Sequence, residues 1–208
     1  SLHAGLAFGL ATLACNPDPG ELTQQVGYRV GAEDAASSGE RGSVRISEVL
    51  WSGSVNAEGV RDQSDVYVEL RNESARPINV SGWFLEISGP LDKVWRIPDS
   101  DTIIGVGEHV YIAAKNTGCF PDPDYVLPTL ELPDGDPFRL TLRDADERLI
   151  EPIGSRDMPP FAGGWDLVDS RSMERVELMF GGYGTEPRVW HFYTAAQTDE
   201  PNFVRILE

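Results

Sequence analysis

Asp65-Val66-Tyr67-Val68-Glu69-Leu70-Arg71-Asn72 places aliphatic side chains at 66, 68 and 70 and alternates them with Tyr67, Glu69 and Arg71. A period of two is that of a half-buried β-strand. Asn72 closes the run, and an asparagine there can bond the backbone that follows and end the strand. Glu69 is a carboxylate inside an apolar run. As an acid catalyst it would need a second carboxylate at a defined distance; the expectation is that it points outward or pairs with a nearby donor. Outward from this stretch the same texture recurs at 44–50, 83–87, 94–97, 109–113, 138–142, 149–150 and 173–178. Ser88-Gly89-Pro90, Pro133-Asp134-Gly135 and Gly181-Gly182 punctuate the runs, and no longer window keeps an i, i+3, i+4 apolar stripe. Many short strands separated by turn signals predict an all-β antiparallel sandwich with under about a tenth helix. The expected core is Ile46, Val66, Val68, Leu70, Trp83, Leu85, Val110, Ile112, Leu140 and Leu142.

Three regions separate along the 208 residues. Residues 1–14 contain the apolar stretch LHAGLAFGLATLA, too short to span hydrocarbon as a helix, which needs about 20 residues. It reads either as the apolar part of a secretory signal, with its basic residues upstream, or as a retained segment that packs on the domain. Cys15 follows Leu13-Ala14, as in a bacterial lipoprotein cleavage box, although Thr12 stands where leucine is usual. Residues 15–43 are polar and turn-rich and read as a tether, and 44–208 form the domain. Acidic residues outnumber basic ones 34 to 17, a formal charge of −17. Only five acids and two arginines lie in 16–43, so the acidity belongs to the domain. Such a surface repels phosphate backbones, which disfavours nucleic acid as a partner. It equally disfavours an anionic membrane, leaving a lipid on Cys15 as the route to one.

The order of motifs resembles the lamin-tail domain family, including its bacterial extracellular members. Ile46-Ser47-Glu48-Val49-Leu50 is similar to the family's opening strand, and Asp65 to Asn72 to its D-x-[FWY]-[IV]-E-L-x-N run. Ile78-Asn79-Val80-Ser81-Gly82-Trp83 resembles its Gly-Trp element. Ile104-Gly105-Val106-Gly107-Glu108-His109 follows, with Val106 where proline is usual. Asp144-Ala145-Asp146-Glu147 carries Glu147 in place of a glycine, Ser172-Met173-Glu174-Arg175 resembles an S-h-x-R element, and Glu200-Pro201-Asn202 is a degenerate closing motif. The resemblance covers about residues 44–203. It implies an immunoglobulin-like sandwich used for binding or surface attachment. Glu69, Asn72 and Trp83 are then structural motif residues, and no catalytic residue carries over.

Of the five tryptophans, Trp83 is expected in the core. Trp51 and Trp165 lie in glycine-bearing loop stretches and are the candidate binding residues, as a protein hot spot or a sugar-stacking face. The alternative is that both are tucked back on the sandwich. His3, His109 and His191 lie in no ligand- or triad-like spacing, and the last two read as sheet positions. The acidic turns 122–124, 134–136 and 144–147 read as hairpin turns rather than calcium loops, since aspartate bonds its own backbone. Neither a cofactor nor a metal is expected. Cys15 and Cys119 are expected to form a disulfide if residues 1–14 are retained; the competing reading is a lipidated Cys15 with Cys119 as a thiol. The sequence thus predicts a non-enzymatic, extracytoplasmic binding or structural module, periplasmic or on the outer membrane or cell surface of a bacterium, that joins a partner protein or surface assembly. A carbohydrate-binding module using the loop tryptophans, or a hydrolase accessory domain, is the alternative.

Overall fold

The computed structural model describes residues 40–166, 169–176 and 182–193. The expectations placed on residues 1–14, on Cys15 and on the motif at 200–202 lie outside them, as does most of the tether. The strands in chain order are β1 (Val44–Leu50), β2 (Ser54–Val55), β3 (Arg61–Asp62), β4 (Tyr67–Asn72) and β5 (Phe84–Ser88). Next come β6 (Lys93–Arg96), β7 (His109–Ala113), β8 (Tyr125–Val126), β9 (Phe138–Arg143) and β10 (Leu149–Ser155). Then follow β11 (Gly164–Trp165), β12 (Ser170–Arg171), β13 (Met173–Arg175) and β14 (Trp190–Phe192). Among the described residues the one helical element is a 3-10 turn at Pro187–Val189. The chain is all-β, as its periodicity predicts.

One sheet has six strands in the order β14-β13-β1-β4-β7-β8, and another has four in the order β10-β9-β5-β6. Neighbours pair antiparallel except β7 and β8, which run parallel. The two sheets bury their inner faces against each other. Val44, Ile46, Val49, Val68, Leu70, Val110 and Ile112 come from the large sheet, and Leu85, Ile87, Trp95, Leu140, Leu142 and Ile153 from the small one. All ten residues expected in the core are buried. Close-packed aliphatic contact of this kind is what makes each such side chain worth ~1.5–3 kcal/mol.

β1 is not the simple alternation it resembles. Its register against β4 shifts between Ile46 and Glu48, so Ser47 is an extra, bulged residue. Val44, Ile46 and Val49 therefore face the core, while Glu48 and Leu50 join the outer face. That outer face carries a second cluster of Leu50, Tyr67, Tyr111, Ala113, Phe120 and Tyr193, in which Tyr111 and Phe120 stack with centroids 4.0 Å apart.

Asn72 closes β4 as its sequence position predicts. Its side-chain oxygen accepts from the Ser74 N–H at 2.9 Å, and its nitrogen donates to the carbonyls of Arg76 at 2.7 Å and Ile104 at 2.9 Å. Trp83 is fully buried. The β9–β10 connection turns on Asp144, whose Oδ1 accepts from the N–H groups of Asp146 and Arg148. Glu147 takes φ of +61° there, the left-handed conformation that a glycine adopts most readily. Asp134 is engaged by Arg61, and Asp124 accepts from the Tyr111 N–H at 2.8 Å. The acidic turns thus serve local structure.

Candidate functional site

Trp51 and Trp165 are brought to one region but play different parts. Trp51 is buried, as the reading that tucks it back on the sandwich has it: its indole N–H donates to the Ala162 carbonyl at 2.8 Å. The contact forms because Gly163, at φ +77°, turns the chain so closely that an added Cβ would stand 2.8 Å from the Trp51 nitrogen. Ser52 and Ser170 reinforce this, their hydroxyls 2.9 Å apart, while Ser170 also donates to the Gly53 carbonyl. Trp51 is therefore a strut that pins the β11–β12 hairpin to the segment after β1.

That hairpin presents Trp165, which is 46% exposed. Trp51, Trp83, Trp95 and Trp190 are all buried, so Trp165 is the one tryptophan open to solvent. It is held in place. The Arg61 guanidinium carbon lies 4.2 Å from the centroid of its ring. Arg61 is itself fixed by a two-pronged pair with Asp134, at 2.6 and 2.9 Å, and by donating to the Ser52 carbonyl at 2.7 Å. Hydrogen bonds from Arg61, with a further one from Trp165, hold the Asp134 carboxyl below the usual carboxylate range.

At Trp165 lies a shallow groove of about 380 Å³, lined also by Gly163, Gly164, Asp166, Asp169, Arg171 and Phe192. Phe192 shares the face of Trp190 on β14 but stands at the margin of the sheet, 53% exposed. Asp169 accepts from Arg171 at 2.9 Å, and Asp166 accepts from the Asp169 N–H at 2.9 Å. The groove thus offers two exposed aromatic rings and a rim of acids, with its arginine already paired. Such an arrangement suits recognition: two apolar surfaces and a few placed polar groups fix an orientation.

A second unusual constellation lies on the outer face of the large sheet. Glu174, Glu48 and Glu69 face one another in register across β13, β1 and β4, with His191 opposite Glu174 on β14. Glu48 is buried and accepts from the Tyr67 hydroxyl at 2.7 Å and from Ser172. Ser47, the bulged residue, donates to Glu69, and His109 stands 3.9 Å from the same carboxylate. Burial first, then the charge at Glu69, pushes the Glu48 carboxyl up to about 8 and Glu174 to about 7. Burial also lowers His191, which stands 3.3 Å from Glu174. The expectation that Glu69 pairs with nearby donors holds, and both histidines occupy ordinary strand positions. Glu48 was not singled out by the sequence, because strict alternation from Val44 would have sent it into the core.

Cys119 is a free thiol packed against the outer aromatic cluster, with its N–H donating to Asp65 at 2.8 Å. Cys15, the partner expected for it, lies outside the described residues. Burial, then the neighbouring Asp65 carboxylate, pushes the Cys119 thiol well above its usual range. Among the described residues no group of three or more His, Cys, Asp or Glu side chains is placed to hold a metal ion, and no helix is long and apolar enough to cross a membrane. No family model matches the chain, and no curated protein matches it.

Proposed function

We propose that this domain is a non-enzymatic binding module that joins a partner protein in a surface assembly outside the cytoplasm, with the Trp165–Phe192 groove as its contact surface. One observation carries the reading: the single exposed tryptophan is locked by Arg61, Asp134 and Ser52 before any partner arrives. Ordering an aromatic anchor in advance removes an entropic cost that binding would otherwise meet, ~0.5–1.5 kcal/mol per side chain. Tryptophan is also among the residues on which interface energy concentrates. The apolar stretch before Cys15 supports export, and the ordered motifs from Ile46 to Arg175 support a kinship with lamin-tail, immunoglobulin-like domains. The flat exposed ring of Trp165 is the observation that keeps a carbohydrate-binding module as the second reading.

The test compares the full chain with its Trp165→Ala variant in native extracts. A stable partner that co-purifies with the wild type, shields Trp165 from iodide quenching and is lost with the variant supports the proposal. A partner retained equally by Trp165→Ala, or a chain that stays alone throughout, overturns it.

A further inference from the structure

We infer that the groove receives a basic segment of the partner protein, with a lysine or arginine side chain entering between Trp165 and Phe192 beside Asp166. This rests on the binding reading above and adds the chemistry of the ligand.

The first support is charge accounting. The chain holds 34 acids to 17 basic residues. The cations near the groove are already engaged: Arg61 by Asp134, Arg171 by Asp169 and Arg175 by Glu151. Farther away, Arg96 is matched by Asp99 and Arg143 by Glu86. With these positive charges already matched, the twofold excess of acids over basic residues leaves a surplus of carboxylates. A field of one sign speeds and orients the encounter with a partner of the other sign and repels acidic competitors.

The second support is local. A cation within about 6 Å of a ring centroid is attracted by the negative face of the π-system, tryptophan being the strongest such ring. The protein already uses Trp165 this way, holding the Arg61 guanidinium 4.2 Å from the ring centroid. The remaining exposed part of the ring lines the groove, with exposed Phe192 and exposed Asp166 beside it. Arg171 does not repel an incoming cation strongly, because Asp169 neutralises it at 2.9 Å. A neutral sugar would stack on the ring but would gain nothing from the net charge of −17. A basic side chain uses the ring, the acid and the field together.

The experiment titrates the full chain with a short peptide of alternating lysine, arginine and glycine, with its glutamine-for-lysine/arginine counterpart, and with a neutral cellulose or chitin hexasaccharide. The readout is the Trp165 share of the emission, taken as the difference between the wild type and Trp165→Ala, the other four tryptophans being buried and away from the peptide. The basic peptide is expected to shift that emission and to bind at least about tenfold more weakly to Asp166→Asn, a difference of ~1.4 kcal/mol. Its affinity should fall as salt rises from about 50 to about 300 mM. Asp99→Asn, which removes an acid held by Arg96, should bind the peptide as the wild type does. Equal weakening by Asp99→Asn and Asp166→Asn would mean attraction by net charge alone and would overturn the inference. Preferential binding of a hexasaccharide, abolished by Trp165→Ala, would overturn it too while leaving the groove as the binding surface. An unchanged Trp165 emission with the basic peptide at millimolar concentration would also refute it.

Discussion

Arg175 ties the two sheets together through one ion pair. It lies on β13 of the large sheet, and Glu151 lies on β10 of the small one, with their side chains only 7% and 8% exposed. Glu151 also accepts from the Ile46 N–H at 2.7 Å, and Arg175 donates to the Gly182 carbonyl at 2.7 Å. Burial raises the Glu151 carboxyl, and the Arg175 charge opposes that rise. Such a pair contributes little over a well-packed apolar pair, but removing one partner leaves an uncompensated buried group at a cost of ~3–5 kcal/mol. Arg175→Ala is therefore expected to destabilise by about that amount in urea unfolding, and Arg175→Met combined with Glu151→Leu to restore most of it. A single-variant loss below about 0.5 kcal/mol would show that the pair does not join the sheets. The sequence pattern marks Arg175 but not its partner 24 residues away, since pairing across two sheets leaves no local signal. The sequence left Trp51 open between a contact residue and a tucked-back one for the same reason: its neighbours suggest a loop, and the carbonyl it binds comes from Ala162.

Strand β1 shows how a one-residue irregularity decides chemistry. With Ser47 bulged, Glu48 rotates to the outer face and meets Glu69 and Glu174 on the flanking strands. Like charges directly opposite each other destabilise a sheet, and that repulsion together with burial raises the Glu48 and Glu174 carboxyls. Glu48 is buried and raised to about 8, so near pH 7 it is protonated in the folded chain and ionised in the unfolded one. The stability it lends is complete below about 4.5, the unfolded value, and is lost as pH rises to about 8, at ~1.4 kcal/mol per pH unit. Glu174, more exposed and raised to about 7, adds a smaller loss of the same sign. His191, lowered by burial, acts oppositely: its neutral folded form gains stability as pH rises through its unfolded value. The fully buried Glu48 outweighs it. Urea midpoints should therefore fall steadily from about pH 5.5 to about pH 8.5, and Glu48→Gln, which keeps an acceptor for Tyr67 and Ser172, should flatten the slope. Unchanged midpoints in the wild type would contradict a protonated Glu48. The strand itself was readable from apolar spacing, because Val44, Ile46 and Val49 are strand-forming and buried. The bulge was not, since a period-two reading of seven residues has no way to register an inserted one.

At the scale of the whole domain, the sandwich follows from the apolar pattern, which identified ten core residues on both sheets correctly. The electrostatics follow from composition: acids outnumber basic residues 34 to 17, and ten of the basic residues are paired with acids within the described residues. Those pairs do little to hold the fold. Arg96–Asp99 and Arg148–Asp146 are more than half exposed on both sides, and pairs of that kind contribute ~0–1 kcal/mol. The buried Arg175–Glu151 pair is screened only weakly by salt. What salt does reach is the long-range repulsion among the surplus carboxylates, which opposes the compact state. Raising NaCl from about 10 to about 150 mM shortens the screening distance from ~30 to ~8 Å, which removes most of the long-range part of that repulsion. The domain should therefore become more stable, with a higher urea midpoint and an unchanged denaturant slope. A midpoint that falls with salt would mean that exposed ion pairs outweigh the repulsion. The same salt should weaken capture of a basic partner at Trp165, so the two measurements are expected to move in opposite directions. That opposition follows only if one surplus of negative charge both strains the fold and attracts the ligand.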